Sequence, residues 1–331
     1  MIPAFSIGEA VRVLVTGGAG YIGAHVMRAL RRVGNDVAVL DDFSTGSRDR
    51  LTPDTSVYEG SLLDTAFVES ALRSFSADAV VHIAAKKAVD ESVANPLFYY
   101  RQNVTGMHSV LEAMVGTGTR RVLFSSSAAV YGEQAVSPVT EATPTSPSSP
   151  YGWTKLIGEQ LLSDVAAAHG LSWSALRYFN VAGAATPELG DRGENNLIPR
   201  VFRAISSGVH PKVFGADYPT PDGSCVRDYI HVEDVADAHA AVLNQMAVDD
   251  LAAIYNIGTG RGTSVFEIMT AVRQATGIHF ECDVIDRRPG DPPDVVADPA
   301  KIQRDFGWKS RHDLASTVDS AWKAWVANDQ T

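Results

Sequence analysis

A doubly wound α/β fold with a smaller, loop-rich C-terminal unit is what the sequence predicts, on three observations. Apolar, β-branched runs alternate with helix-length segments through the first half, a glycine-rich turn follows the first run, and composition shifts after Asn180. In order, the runs are VRVLVTGG (11–18), DVAVLDD (36–42), SVYEGSL (56–62), DAVVHIAA (78–85), RRVLFSSS (120–127) and SWSALRYFN (172–180). Such runs mark parallel strands covered on both faces. The segments 20–33, 64–75, 97–116 and 150–169 are long enough to be right-handed crossover helices. Past Asn180, VAGAATPELGDRGENN is rich in Gly, Ala and polar residues, and Pro/Gly-rich stretches at 211–223 and 289–299 bracket shorter elements. The Ser/Thr/Pro-rich stretch 139–150 reads as a surface loop.

With 331 residues and 45% hydrophobic content, the chain can bury a full core. Its net charge of −11, from 28 basic and 39 acidic side chains without a Lys/Arg block, argues against nucleic acid or an anionic membrane as partner. No apolar run approaches the ~18 residues needed to span a bilayer, and the N-terminus lacks a signal-peptide pattern. A cytoplasmic protein is expected. Cys225 and Cys282 are too few and too far apart for a metal cluster or disulfide framework, so both read as reduced structural thiols and no metal site is assigned.

VTGGAGYIG satisfies Gly18-x-Gly20-x-x-Gly23 between a predicted strand and a predicted helix. Glycines there allow a tight turn and close approach of backbone to a pyrophosphate resting on the helix N-terminus, which makes the fold Rossmann-type. Asp41 and Asp42 lie 18 and 19 positions beyond Gly23, where a carboxylate accepts from ribose hydroxyls and repels a 2′-phosphate. The pattern indicates NAD; a solvated strand end is the alternative. In PYGWTKLIGEQLL, Tyr151 and Lys155 stand at i and i+4 on one helix face. A fixed ammonium and an oxidised nicotinamide would favour phenolate, giving a base for a sugar hydroxyl. A solvent-facing helix pair is the competing reading. Ser125, Ser126 and Ser127 end the fifth strand, where open α/β sheets bind ligands, although three hydroxyls could simply cap a turn.

Taken with HIAAKKAVDESVANPLFYYRQNVTG (82–106), LRYFNVAGA (176–184), NNLIPRV (195–201), VFGADYPTPDGSCVRDYIHVEDVADAH (213–239) and RRPGD (287–291), the sequence resembles the extended short-chain dehydrogenase/reductase superfamily and, within it, the UDP-glucose 4-epimerases. The resemblance covers nearly the whole chain. It implies interconversion of UDP-galactose and UDP-glucose: Tyr151 removes the 4-hydroxyl proton with help from Ser127, a 4-keto sugar forms at the expense of tightly bound NAD, the ring turns, and reduction inverts C4. It further implies a cofactor site of Gly17, Gly20, Tyr21, Ile22, Gly23, Asp41, Asp42, Ser61, Leu62, Lys87, Asn103, Ser125, Tyr178 and Phe179, with Lys155 and Tyr151 at the nicotinamide end. Asn180, Asn196, Leu197, Arg227, Tyr229, Arg288 and Asp291 would hold UDP, with Ser127, Tyr151 and Val295 around the sugar. The implied organisation is an NAD-binding domain over 1–180, receiving a segment near 228–256, and a nucleotide-sugar domain over 181–331. A homodimer pairing helices near 97–116 and 150–168 is also implied. His82 and His231 read as structural, and Arg227 could instead pair with Asp228 or Glu233.

Three positions depart from the family pattern. Gly60–Ser61 replaces a Gly-Asp pair at the adenine, Ala85–Lys86 replaces Gly and a hydrophobic residue, and Val295 replaces a bulky Tyr. A small Val295 would leave room for an N-acetyl group, whereas the residue alone gives no account of Lys86. Nucleotide-sugar dehydratases of this kind carry Asp-Glu just after the strand-end hydroxyls, and Ala128–Ala129 lacks that acid/base pair. A non-catalytic NAD-binding regulator would have no need of Tyr151, Lys155 and Ser127 together. An epimerase of UDP-xylose or of a UDP-N-acetylhexosamine remains open.

Overall fold

The computed structural model describes residues 10–134, 137–193, 195–288 and 290–329. In chain order the first half runs β1 (Arg12–Thr16), α1 (Tyr21–Arg32), β2 (Asp36–Asp41), β3 (Ser56–Glu59), α2 (Thr65–Phe75), β4 (Ala79–His82), α3 (Val89–Ala94), α4 (Pro96–Tyr99), α5 (Gly106–Thr117), β5 (Arg121–Ser127), α6 (Pro150–His169) and β6 (Ser172–Tyr178). The second half holds β7 (Asn180–Ala182), α7 (Leu197–Ser206), β8 (Lys212–Phe214), β9 (Val226–His231), α8 (Val232–Met246), β10 (Ala252–Ile257), β11 (Gly262–Ser264), α9 (Val265–Thr276), β12 (Asp283–Ile285), β13 (Asp294–Val295), α10 (Ala300–Phe306) and α11 (Leu314–Asp329).

A seven-stranded sheet in the order β10-β6-β5-β4-β1-β2-β3 is parallel throughout. Its inner strands are buried on both faces because helices cover both: Val26, Met27 and Leu30 of α1 with Val235, Val242 and Leu243 of α8 form one layer. Val68 and Leu72 of α2, Met107, Val110 and Leu111 of α5 and Leu162 of α6 form the other. This is the doubly wound α/β fold predicted from the alternating runs. Between β1 and β4 the direction of winding reverses, which opens a crevice at the strands' C-terminal ends.

Local chemistry sets the elements that border this crevice. α6 starts where Ser149 Oγ accepts the Gly152 N–H at 3.2 Å, with Pro150 in the first turn, and ends at Gly170 in the left-handed region, φ 68°. The single helix expected over 97–116 is broken: α4 passes through a π-helical turn, Tyr100–Thr105, before α5 begins. The wider turn carries Asn103, which is buried and points back toward the end of β4. Beyond β6, a four-stranded sheet (β11-β9-β13, with β7 beside β9) and the pair β12-β8 pack with α7, α9 and α11 around Ile198, Phe202, Ile268, Met269 and Val318. α8 and β10 return to the large sheet, α8 against α1 and β10 against β6. Among the described residues no helix is long and apolar enough to cross a membrane.

Candidate active site

The turn between β1 and α1 requires glycine at the positions where the backbone packs most closely. Gly17 has φ +71°, and a Cβ on it would lie 2.7 Å from the Ala84 backbone nitrogen. At Gly23 a Cβ would meet the Gly17 carbonyl oxygen at 2.1 Å, while Gly20 donates its N–H to that same oxygen at 3.1 Å. The positive φ therefore belongs to Gly17, not to Gly18, which the Gly-x-Gly spacing singled out. α1 begins at Gly20 without a side-chain cap and without an acidic residue in its first turn, so its N–H groups suit a pyrophosphate. Asp41 ends β2, buried, accepting from Ala19 N–H and Phe43 N–H, both at 2.9 Å; burial raises its pKa. Asp42 is exposed, and hydrogen bonds from Ser44 outweigh the upward pull of its partial burial, so its pKa falls. Two carboxylates beside a side-chain-free cradle fit a dinucleotide with unmodified ribose hydroxyls.

The remaining expected cofactor residues fall into three groups. Tyr21, Ile22, Lys87, Tyr178 and Phe179 line the central cavity, and Tyr21 fixes its hydroxyl on the Gly183 carbonyl at 2.7 Å. Ser61, exposed, and Leu62, packed against the second apolar layer, follow β3 at the edge next to Asp41. Asn103 and Ser125 are buried and largely engaged within the chain. Asn103 accepts the Lys86 N–H at 2.8 Å and donates to the Lys86 carbonyl and to Thr154 Oγ1 at 2.9 and 3.0 Å. Ser125 Oγ meets His239 Nε2 at 3.2 Å, and its carbonyl accepts from Lys155 Nζ at 2.7 Å.

Ser127, Tyr151 and Lys155 come together at the end of β5. Ser127 is near enough to Tyr151 to favour its phenolate, and the Lys155 ammonium lies 5.9 Å from the Tyr151 ring centre and 5.0 Å from that of Phe124. The shifts run opposite to the sequence expectation. Burial raises the Tyr151 pKa, opposed by the Ser127 hydrogen bond, and burial lowers Lys155 to about 7, opposed by Glu159. Desolvation disfavours phenolate and ammonium alike, and a lysine titrating near 7 carries only part of its charge at neutral pH.

Sequence reasoning missed what stands behind this pair. Glu159 accepts from Ser126 Oγ at 2.5 Å and from Arg177 Nε and Nη2 at 2.9 and 2.6 Å. Arg177 also donates to the Tyr131 hydroxyl at 3.1 Å, which donates to Asn256 Oδ1 at 2.6 Å. Glu159 stands four residues after Lys155 on α6, and that spacing was the available signal.

A cavity of ≈ 730 Å³ joins these groups to the C-terminal half. Ser127 and Tyr151 line it, as do Asn180, Asn196, Leu197, Arg227, Tyr229, Arg288, Asp291 and Val295. Arg227 forms an ion pair with Asp291 and donates to the Val226 carbonyl at 2.7 Å. It does not pair with Asp228, whose buried carboxylate is taken by Thr259 and Gly260, nor with Glu233, which reaches toward His231 and His312. Arg288 lies 3.8 Å from the Phe214 ring centre, and Val295 pairs with Arg227 across β13 and β9. Asn196 precedes α7 without a side-chain capping bond and donates to Asp191 Oδ2 at 2.5 Å. The free thiol of Cys225 also lines the cavity, its pKa raised by burial. His82 and His231 are engaged in the interior, with Thr16 Oγ1 at 2.8 Å and Ser320 Oγ at 3.0 Å, and burial takes both to about 3.

The sequence profile of the NAD dependent epimerase/dehydratase family matches residues 13–258. A UDP-glucose 4-epimerase of Lactobacillus helveticus is 44% identical over 95% of this chain and 96% of its own. Among solved structures, a UDP-glucose-4-epimerase from Stenotrophomonas maltophila with bound NAD and formylated UDP-arabinopyranose superimposes with a TM-score of 0.93 at 37% identity, covering 97% of this chain and 99% of that one. The UDP-Glc/GlcNAc 4-epimerase from Campylobacter jejuni is similar at a TM-score of 0.85 and 34% identity, over 96% and 100% of the two chains. With its glycine cradle, its Tyr151–Lys155 pair and these relatives, the chain belongs to the NAD dependent epimerase/dehydratase family, on the UDP-glucose 4-epimerase branch.

Proposed function

We propose that this protein interconverts UDP-galactose and UDP-glucose by inverting the hexose at C4. One observation carries the reading: Ser127 and Tyr151 face the same cavity as Arg227, Arg288 and Asp291, so a nucleotide-diphosphate anchor and a base for a sugar hydroxyl address one ligand. NAD, when bound, supplies a reversible two-electron acceptor, so no external redox partner is consumed. Tyr151 as phenolate takes the C4 hydroxyl proton, Ser127 holds that oxygen, and Lys155 supports the phenolate. Arg227 and Arg288 pair with the diphosphate, and Asp291 accepts from ribose. The 4-keto hexose left when C4 gives up its hydride is gripped by fewer groups than UDP, so it turns about its link to the diphosphate; the hydride would then return to the other face of C4 while the oxygen takes its proton back from Tyr151. Ala128 and Ala129, which also line the cavity, offer no acid for elimination, which disfavours a dehydratase.

Val295 supports a second substrate class, the UDP-N-acetylhexosamines. Its short side chain lines the cavity beside Arg227, where a larger one would occupy the space of an acetamido group. Val295→Tyr should lower kcat/KM on UDP-N-acetylglucosamine at least tenfold while leaving UDP-galactose turnover largely intact; equal loss on both substrates would remove this role. A homodimer is supported by the apolar side chains exposed on α3, α4 and α6, namely Val93, Leu97, Phe98 and Trp153. Two free thiols suit the reducing cytoplasm.

The deciding experiment incubates purified protein, its bound NAD verified by enzymatic assay, with UDP-galactose and no added cofactor. UDP-glucose should accumulate to equilibrium. Its absence would defeat the proposal.

A further inference from the structure

Lys86 follows β4, and its backbone is clamped on both sides by Asn103: the N–H to Oδ1 at 2.8 Å, the carbonyl from Nδ2 at 2.9 Å. Asn103 is itself tied to Thr154 on α6 at 3.0 Å, so the base of the lysine is fixed while its side chain reaches outward. That side chain ends on Ser44 Oγ at 2.9 Å, in the loop that follows β2. The Ser44 loop is held down in turn, because the Ser44 N–H donates to Asp42 Oδ1 at 2.9 Å and the Ser47 N–H to the Ala19 carbonyl at 3.0 Å, inside the glycine turn.

Sheet order gives this contact its meaning. β1 lies between β4 and β2, with neighbouring strands about 4.8 Å apart, so a bridge from beyond β4 to beyond β2 spans roughly 10 Å across the end of β1. The end of β1 is the glycine turn. We infer that Lys86 and Ser44 form a latch across the mouth of the dinucleotide groove, and that Lys86 is a cofactor-retaining residue. The ammonium also stands close enough to Asp41 and Asp42 to favour both carboxylates, and an ammonium above a pyrophosphate is attracted to it. A cofactor regenerated at each turnover need never leave, and a latch that slows its release serves such a cycle.

The inference rests on the dinucleotide lying in this groove, and its test keeps the two apart. Protein loaded with radiolabelled NAD is chased with excess unlabelled NAD, and retained label is followed for wild type, Lys86→Leu and Ser44→Ala. Both variants should release label roughly tenfold faster than wild type, the size of one lost charge-assisted hydrogen bond. Wild-type release rates in either variant overturn the latch alone. A wild-type protein that takes up no label after its bound NAD has been stripped overturns the dinucleotide site and the latch together.

Discussion

At Tyr151, the base we propose, burial raises the cost of forming phenolate, so that role requires surroundings that supply positive charge. Tyr151→Phe keeps the ring and removes the proton acceptor. Turnover should fall by roughly 10²–10⁴ with the far-ultraviolet spectrum unchanged; near-normal turnover would assign the base elsewhere. Lys155 gives a less obvious expectation. Its folded-state pKa of about 7 lies below the usual 10.5, so between those values the folded chain binds fewer protons than the unfolded one. Stability therefore rises with pH across that window, and the penalty of the buried ammonium, absent above 10.5, is complete below about 7. In protein stripped of NAD, Lys155→Met should be more stable than wild type at pH 7, by roughly 1–4 kcal/mol, and the difference should close toward pH 10. Urea midpoints across that range measure it, and a gap that widens with pH contradicts the assignment. The pair itself was readable from its spacing. That Asn103 clamps Lys86, and that Glu159 serves Ser126 and Arg177, was not, because those partners lie 17 to 33 residues apart in sequence.

α6 brings Tyr151 to Ser127 because Gly152 lets the helix touch the turn after β5. A Cβ there would lie 2.6 Å from the Ala129 carbonyl oxygen and 3.0 Å from Pro147 Cβ, and the nearer atom is backbone with little freedom to yield. Gly152→Ala should destabilise the protein by roughly 1–3 kcal/mol and, with Tyr151 as the proposed base, lower kcat at least tenfold, since Tyr151 would be displaced from Ser127. Gly116, near the end of α5, is the control: its Cβ would meet nothing closer than Glu69 at 3.5 Å, so Gly116→Ala should be neutral or gain up to about 1 kcal/mol. Equal effects from the two substitutions would mean that helix propensity, not contact, governs both. At this scale the sequence located the large elements well, since hydrophobic period and punctuation by Gly and Pro are local. It missed the break at Tyr100–Thr105, because a π-turn leaves the apolar pattern nearly intact while rotating the helix beyond it.

Across the whole molecule, α3, α4 and α6 expose Val93, Leu97, Phe98 and Trp153 on the flank of the large sheet, with Leu97 83% exposed. If that surface is the dimer interface, Leu97→Asp with Trp153→Asp should halve the mass measured by light scattering, while either substitution on a free surface would leave it unchanged. Fold class and cofactor type were legible in the sequence alone, and the reacting side chains we propose were named from it, for a physical reason: each rests on neighbours in the chain. Alternating apolar runs demand a covered parallel sheet, glycines admit a pyrophosphate, and a four-residue spacing puts Tyr151 and Lys155 on one face. Only the tertiary structure decided how charge is distributed among them. It paired Arg227 with Asp291 instead of Asp228, set burial against the Tyr151 phenolate, and carried Lys86 over to Ser44. Desolvation and long-range partners depend on what the fold packs around a group, which one-dimensional spacing does not encode.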